Sequence, residues 1–200
     1  MIYCVILRYG KSSGAGAGEK LAELPEWYLN DPIVEACLRL IASGPRSKRE
    51  QYGAVLVSRT GEVVSLARNM KVYTHEPWRR QAYANHSEGM AIFAAVMLGY
   101  DVADFTIFVS GFLADGQPFI RHSDHAPRFS CLSCAKVFLE YTVSVAVPTE
   151  NGWVSLSPDQ AMTTAVCFSN QAKEMAGKKK NSQGRRLESL MLSPGVCQAL

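Results

Sequence analysis

The segment from Ser87 to Leu98 constrains the fold most, because nearly all of its residues are apolar or small. Its length suits a helix of about three turns, and Gly99 is a typical residue for ending one. A helix that is apolar around most of its circumference must be covered on most sides. With 48% hydrophobic and 20% charged residues, the chain can supply such a core. This composition excludes a disordered or a fibrous protein.

Strand and helix patterns flank this buried helix on both sides. Asp31 supplies an N-cap ahead of Pro32, which predicts a helix that stops at Gly44-Pro45. The last two predicted strands are joined by only five residues, too few for a parallel crossover, so we expect them to be antiparallel. The remaining predicted elements are a hairpin over 52–57 and 63–67, a strand over 105–109, a long irregular stretch, a helix beginning near Cys131, strands over 143–147 and 153–156, and a helix from 157 to about 169.

The chain divides into one main domain and two flanking segments. We assign 1–30 to an N-terminal strand with a Gly-rich loop, 31–170 to the main domain, and 171–200 to a basic, flexible tail. The tail holds six basic residues against two acidic ones, so the net charge of +3 belongs to it and the main domain is nearly neutral. A nearly neutral domain does not indicate a duplex-binding surface.

The N-terminal residues indicate the cellular compartment that we expect for the protein. Its apolar run, 2–7, is too short to cross a bilayer and lacks the layout of a secretory signal. We therefore expect a soluble, cytoplasmic protein with no membrane partner. Cysteines stay reduced in that compartment, so a closely spaced pair indicates a metal or catalytic site rather than a disulfide.

Two short polar segments contain the candidate metal-binding and catalytic residues. Asn85-His86-Ser87-Glu88 opens the buried helix, and Ser130-Cys131-Leu132-Ser133-Cys134 opens the following one. Two cysteines three apart at a helix N-terminus lie on one face, where the helix dipole favours their thiolate forms. A histidine nitrogen from a facing helix would complete three zinc ligands and leave one position open for water. Glu88 would then transfer protons beside the metal, which gives a carboxylate in an apolar helix a partner.

This arrangement resembles the cytidine deaminase-like superfamily of zinc hydrolases, whose signature is H-x-E followed by P-C-x-x-C. His86-Ser87-Glu88 matches the first part, and Cys131-Leu132-Ser133-Cys134 matches the second, with Ser130 in place of the proline. The order of elements agrees over about 31–169. The resemblance implies a three-layer α/β/α fold on a mixed five-stranded sheet with an antiparallel C-terminal hairpin.

The resemblance also implies a site and a reaction. Zn²⁺ would be held by His86, Cys131 and Cys134, with Glu88 as general acid and base. Water would attack the amine-bearing ring carbon of a nucleobase, and ammonia would leave. Cytosine in a nucleoside or nucleotide is the expected substrate, because the closely spaced final hairpin is similar to that of free-nucleoside cytidine deaminases. Guanine, adenine or a base within nucleic acid remain alternative substrates.

Three further features follow from the same resemblance. Asn69 matches a position where the family places an asparagine against the substrate. Relatives are frequently oligomers, which implies a homo-oligomer here. The stretch before Cys131 is longer than is usual in the family, and we expect 111–130 to form part of the pocket wall or a lid.

A rival hypothesis uses the same cysteines. His122 and His125 lie just before them, so the four side chains can make a closed Cys₂His₂ zinc site, which is structural. The protein would then be a non-catalytic, zinc-pinned module that binds nucleic acid with its basic tail. This hypothesis leaves Glu88 without a role. A redox Cys-x-x-Cys is disfavoured, because the pair follows a long loop rather than a strand.

Overall fold

This computed structural model of the protein describes residues 24–44, 50–70, 86–113, 116–120, 130–167 and 169. The predicted N-terminal strand, the Gly-rich loop and the basic tail lie outside these residues. No helix within them is long and apolar enough to cross a membrane. The elements are α1 (Glu26–Asn30), α2 (Pro32–Ala42), β1 (Gln51–Val57), β2 (Val63–Arg68), α3 (Ser87–Met97), β3 (Thr106–Phe112), α4 (Leu132–Tyr141), β4 (Ser144–Thr149), β5 (Gly152–Leu156) and α5 (158–167).

The five strands form one mixed sheet in the order β2-β1-β3-β4-β5. β1 is antiparallel to both of its neighbours, and β3 and β4 are parallel. β4 and β5 form the antiparallel C-terminal hairpin. The predicted α/β class, strand number and final hairpin are therefore confirmed.

Helices cover both faces of the sheet. Because side chains alternate along a strand, Ala54 and Leu56 of β1 point to one face and Val55 and Val57 to the other. The first pair joins a core with α3, α4 and α5, and the second pair packs against Cys37 of α2. The predicted α/β/α layering is confirmed by these two cores.

Asp31 begins α2 as predicted and also anchors it to the sheet. Its Oδ1 accepts hydrogen bonds from Ile33 N (2.8 Å) and Val34 N (2.9 Å), the pattern of an N-cap. Its Oδ2 accepts a third bond from Trp153 Nε1 at 3.0 Å. One carboxylate thus starts α2 and links it to the β4–β5 hairpin.

The short helix α1 was not predicted. Tyr28 is completely buried, and its hydroxyl shares a 3.0 Å hydrogen bond with Ser110 of β3. Trp27 donates from Nε1 to the carbonyl of Glu150 at 3.0 Å. Five residues are too few for helical periodicity to be recognised, so long-range burial determines this element rather than local pattern.

β3 is longer than predicted. The strand continues past Val109 to Phe112, and Gly111 pairs with Tyr52 instead of opening an irregular loop. A side chain at 111 would collide with the carbonyl of Gln51, so the strand needs glycine there. The sequence pattern predicts that the strand ends before this glycine. In the structure the glycine instead allows β1 and β3 to approach each other closely.

α3 is buried on most sides only over its first turns. Glu88, Ala91 and Ile92 are buried, as the composition predicts. Met97 and Leu98 are 86% and 70% exposed, because they lie in the last turn before Gly99 ends the helix with a φ of +87°. The prediction of burial is therefore wrong for the C-terminal end of this helix.

Candidate metal centre

The two predicted polar segments lie at one edge of the sheet. β2 and β3 run in the same direction, since both are antiparallel to β1. α3 follows β2 and α4 follows β3 along the chain, so both helices begin at the edge where these strands end. His86 is the N-cap residue of α3, and Cys131 is the N-cap residue of α4. The topology therefore brings 86–88 and 131–134 together.

The three predicted ligand atoms converge. His86 Nδ1 lies 3.1 Å from Cys134 Sγ and 3.2 Å from Cys131 Sγ, although the residues are 48 and 45 positions apart. All three ligand atoms lie within 4.8 Å of one another. Within the described ranges this is the one group of three or more such side chains that can hold a metal ion.

The donor set suits zinc better than a hard cation. One imidazole nitrogen and two sulfurs are the soft and borderline ligands that zinc prefers, whereas Mg²⁺ and Ca²⁺ require oxygen. Tetrahedral bonds of the usual length place ligand atoms roughly 3.5–3.8 Å apart. The observed N···S distances of 3.1 and 3.2 Å are slightly shorter, so a small outward movement of the side chains accommodates the ion. The residues present fit zinc.

The environment makes the two thiols unequal. The hydrogen bond from the Cys134 thiol lowers the pKa of Cys131, and the bond to His86 acts in the same direction against the opposing effect of burial. For Cys134, that bond to Cys131 raises the pKa, and burial and the negative charge of Glu88 raise it further. The same contact between the two cysteines thus acts in opposite directions on their pKa values. The Cys134 backbone N–H also donates to Cys131 Sγ at 3.5 Å.

Glu88 lies beside Cys134. Its side chain is 8% exposed, and it acts on Cys134 both as a nearby charge and as a hydrogen-bond partner. Ser87, which is completely buried, donates from Oγ to Glu88 Oε2 at 3.0 Å. We did not predict a role for Ser87, and its place between the histidine and the glutamate is the only sequence signal for it. This bond fixes the direction of the Glu88 carboxylate.

Asn69 lies at the same edge, and its carboxamide binds the backbone of the neighbouring strand. Oδ1 accepts from Tyr52 N at 2.9 Å, and Nδ2 donates to the carbonyl of Glu50 at 3.0 Å. The carboxamide oxygen can accept one more hydrogen bond, and the carboxamide nitrogen can donate one more. The predicted contact between Asn69 and a substrate stays a prediction.

The two cysteines meet His86, as the three-ligand hypothesis requires. His122 and His125, which the rival hypothesis requires, lie outside the described residues. Cys131, Cys134 and Cys37 are free thiols. The described geometry thus brings together the three side chains of the first hypothesis.

Thiol labelling tests whether the centre binds metal. In metal-free protein we expect Cys131 to react readily with iodoacetamide, because it is partly exposed and its pKa is lowered. One equivalent of zinc should slow this reaction by at least about ten-fold, since a bound thiolate is no longer a free nucleophile. Mass spectrometry of the labelled peptides measures the rate of this reaction at each cysteine. Cys37 is the control, since burial raises its pKa to about 12 and should keep it unreactive throughout. Equal rates at Cys131 with and without zinc would contradict the prediction.

No family model matches the chain, and no curated protein was found to match it. Among solved structures, it is similar to a diaminohydroxyphosphoribosylaminopyrimidine deaminase/5-amino-6-(5-phosphoribosylamino)uracil reductase from Thermotoga maritima, with 20% sequence identity and a TM-score of 0.35. The match covers 57% of this chain and 28% of that chain. The chain thus spans little more than a quarter of this structure, and the fold and the centre described above rest on its own geometry.

Proposed function

We propose that this protein is a zinc-dependent hydrolytic deaminase of an amino-substituted nucleobase, with cytosine in a nucleoside or nucleotide as the preferred substrate. One observation carries the proposal: a histidine nitrogen and two sulfurs, distant along the chain, converge beside a buried carboxylate. A structural zinc site needs no such carboxylate. Three protein ligands rather than four would allow a fourth, exchangeable ligand, which a catalytic zinc site requires.

In this reaction the zinc ion and the protein side chains have different roles. When bound, zinc supplies a Lewis acid that lowers the pKa of a water molecule toward neutrality. The Glu88 carboxylate accepts a proton from the attacking water and donates it to the departing amino group. A C–O bond forms, the C–N bond breaks, and the products are the oxo base and ammonia. Ser87 keeps the Glu88 carboxylate oriented, and burial protects its proton transfer from bulk water.

An aromatic pair offers a wall for a planar ring. Tyr52 and Phe119 meet edge to face, with ring centroids 5.2 Å apart. Phe119 belongs to the core that contains Cys134, and Tyr52 and Cys131 pack against that core. Tyr52 lies at the start of β1, at the edge where α3 and α4 begin. A heteroaromatic ring at the metal centre would therefore lie at the same edge of the sheet as these two side chains.

Phe119 comes from the long insertion before α4. Phe119 N donates to the carbonyl of Gly111 at 2.7 Å, and Leu113 N donates to Gln117 at 2.8 Å, which folds 116–120 back onto the end of β3. This part of the insertion packs against the sheet. We therefore assign the described part of the insertion to the pocket wall rather than to a detached lid.

Replacing Phe119 tests the wall. We expect Phe119→Leu to raise the KM for the preferred substrate roughly ten-fold with a smaller effect on kcat, because aromatic contact with a base contributes to binding. Leucine keeps most of the buried volume, so the fold should persist. Phe93→Leu is the matched control, since Phe93 makes a similar edge-to-face pair with Tyr141 on α4. An unchanged KM in Phe119→Leu would show that the aromatic pair does not contact the substrate.

The proposed reaction is tested by ammonia release. Zinc-loaded protein should release ammonia from one member of a panel of nucleobases, nucleosides, nucleotides and single-stranded nucleic acids, and cytidine compounds should be best. Metal-free protein is the first control. If the protein deaminates only a nucleic acid polymer, the polymer rather than the free nucleotide is the substrate. If zinc-loaded protein deaminates no member of the panel, the zinc-pinned binding module is favoured.

A further inference from the structure

The carboxylate of Glu50 has no role in the proposed reaction, although it lies at the same edge of the sheet as the metal centre. Glu50 directly precedes β1 and is exposed. Its Oε2 accepts a hydrogen bond from the Tyr52 hydroxyl at 2.9 Å, and its backbone carbonyl accepts one from Asn69 Nδ2 at 3.0 Å. Within the described ranges, Oε1 has no hydrogen-bond or ion-pair partner. The protein thus orients one carboxylate oxygen and leaves the other available to a ligand.

Glu50 also shares the face of the sheet on which the metal centre lies. Side chains alternate along an extended chain, so Glu50 and Tyr52 point to the same face, and the hydrogen bond between them agrees with this. Tyr52 packs against the core that contains Cys134. Glu50 lies two residues before Tyr52, which is roughly 7 Å farther toward the edge of the sheet. The carboxylate therefore lies on the face of the metal centre, farther out than Tyr52.

The chemistry of a carboxylate limits what Glu50 can bind. An ionised carboxylate only accepts hydrogen bonds, so its ligand must bring donors. A nucleoside differs from a bare nucleobase by its sugar hydroxyls, which are such donors. Acidic side chains bind ribose hydroxyls in this way in dinucleotide-binding proteins. The hydrogen bond from Tyr52 holds the carboxylate in one orientation, which reduces the entropy that is lost when a ligand binds.

We propose that Glu50 is a specificity-determining residue whose carboxylate accepts hydrogen bonds from the 2′- and 3′-hydroxyls of a ribonucleoside substrate. This inference rests on the proposed function, since it names the substrate class of the same site. A free base has no sugar hydroxyls, and a nucleotide within a nucleic acid chain has its 3′-oxygen esterified, so both lack part or all of these bonds. The protein should therefore prefer a ribonucleoside with both hydroxyls free to a base or a polymer.

Kinetics with a matched pair of compounds test this role. In zinc-loaded protein the KM for cytidine should be at least about ten-fold lower than the KM for 2′,3′-dideoxycytidine, because hydrogen bonds to a charged group are the stronger ones. Glu50→Ala should raise the KM for cytidine by about the same factor and leave the KM for dideoxycytidine unchanged. Glu62→Ala is the matched control, since Glu62 is equally exposed but lies at the β1–β2 turn, and it should change neither value.

The opposite outcomes are equally specific. If Glu50→Ala raises the KM for both compounds equally or for neither, the carboxylate does not bind the hydroxyls and the inference is overturned. Activity confined to single-stranded nucleic acid also overturns it. Equilibrium dialysis with the same two compounds separates this inference from the reaction. If no ammonia is released but cytidine binds better than dideoxycytidine only while Glu50 is present, the proposed reaction fails and the role of Glu50 stands. If neither compound binds, both proposals fail.

Discussion

Glu88→Gln is expected to reduce kcat by roughly 10³–10⁴-fold while zinc stays bound in a one-to-one ratio, as measured by ammonia release and by metal analysis of the same sample. Glutamine has the same shape and can still accept the hydrogen bond from Ser87, so the buried site should stay packed. It cannot take a proton from water at neutral pH. The loss should therefore appear in kcat, because proton transfer belongs to the chemical step rather than to substrate binding.

Glu140→Gln is the matched control for this variant. Glu140 lies on α4, the helix that carries Cys134, but its side chain is exposed. The same chemical change there should leave kcat and zinc content unaltered. If Glu88→Gln keeps more than about a tenth of the activity, general acid and base catalysis by this residue is wrong. If it instead loses zinc, the carboxylate supports the metal, and the loss of activity says nothing about proton transfer.

Local signals predicted several elements well, because each signal acts within a few residues. The Asp31-Pro32 pair marked the start of α2, and the observed N-cap bonds are those that such a pair makes. The five-residue link between β4 and β5 determined their antiparallel pairing for a simple geometric reason. In both cases the physical cause and the sequence signal are the same few residues.

Features that depend on distant contacts were missed. The α1 helix exists because Tyr28 is buried against Ser110, and the sequence near α1 does not reveal this partner. Gly111 was interpreted as a loop residue, since the carbonyl that requires a glycine belongs to β1. The same limit applies to Asn69, whose carboxamide binds the backbone of another strand. Such contacts follow only from strand register.

The convergence of His86, Cys131 and Cys134 was predictable despite their separation along the chain. Each half of the motif sits at a helix N-terminus, and the chain reverses direction between β2 and β1 and again between β1 and β3. Helices that follow parallel strands of one sheet begin at the same edge. What the motif did not reveal is the hydrogen bond from Ser87 to Glu88, because a single hydroxyl carries no spacing of its own.

His86→Ala should abolish stoichiometric zinc binding, with an affinity loss greater than about 100-fold, since even partners of metal ligands cost 10–100-fold. The imidazole is one of three converging donors, and two sulfurs alone form an incomplete site. Zinc content after dialysis against a weak chelator, and the cobalt spectrum, measure this loss. The substitution lies at the N-cap of α3, where the histidine side chain makes no capping bond, so circular dichroism should show a folded protein.

His122→Ala and His125→Ala are the matched controls, and they decide between the two zinc hypotheses. If the site is the open centre of His86, Cys131 and Cys134, both controls should bind zinc normally. If the closed Cys₂His₂ site is correct, the result reverses: His86→Ala keeps its zinc and the two controls lose it. Zinc content in these three variants therefore tests the ligand set without any knowledge of the substrate.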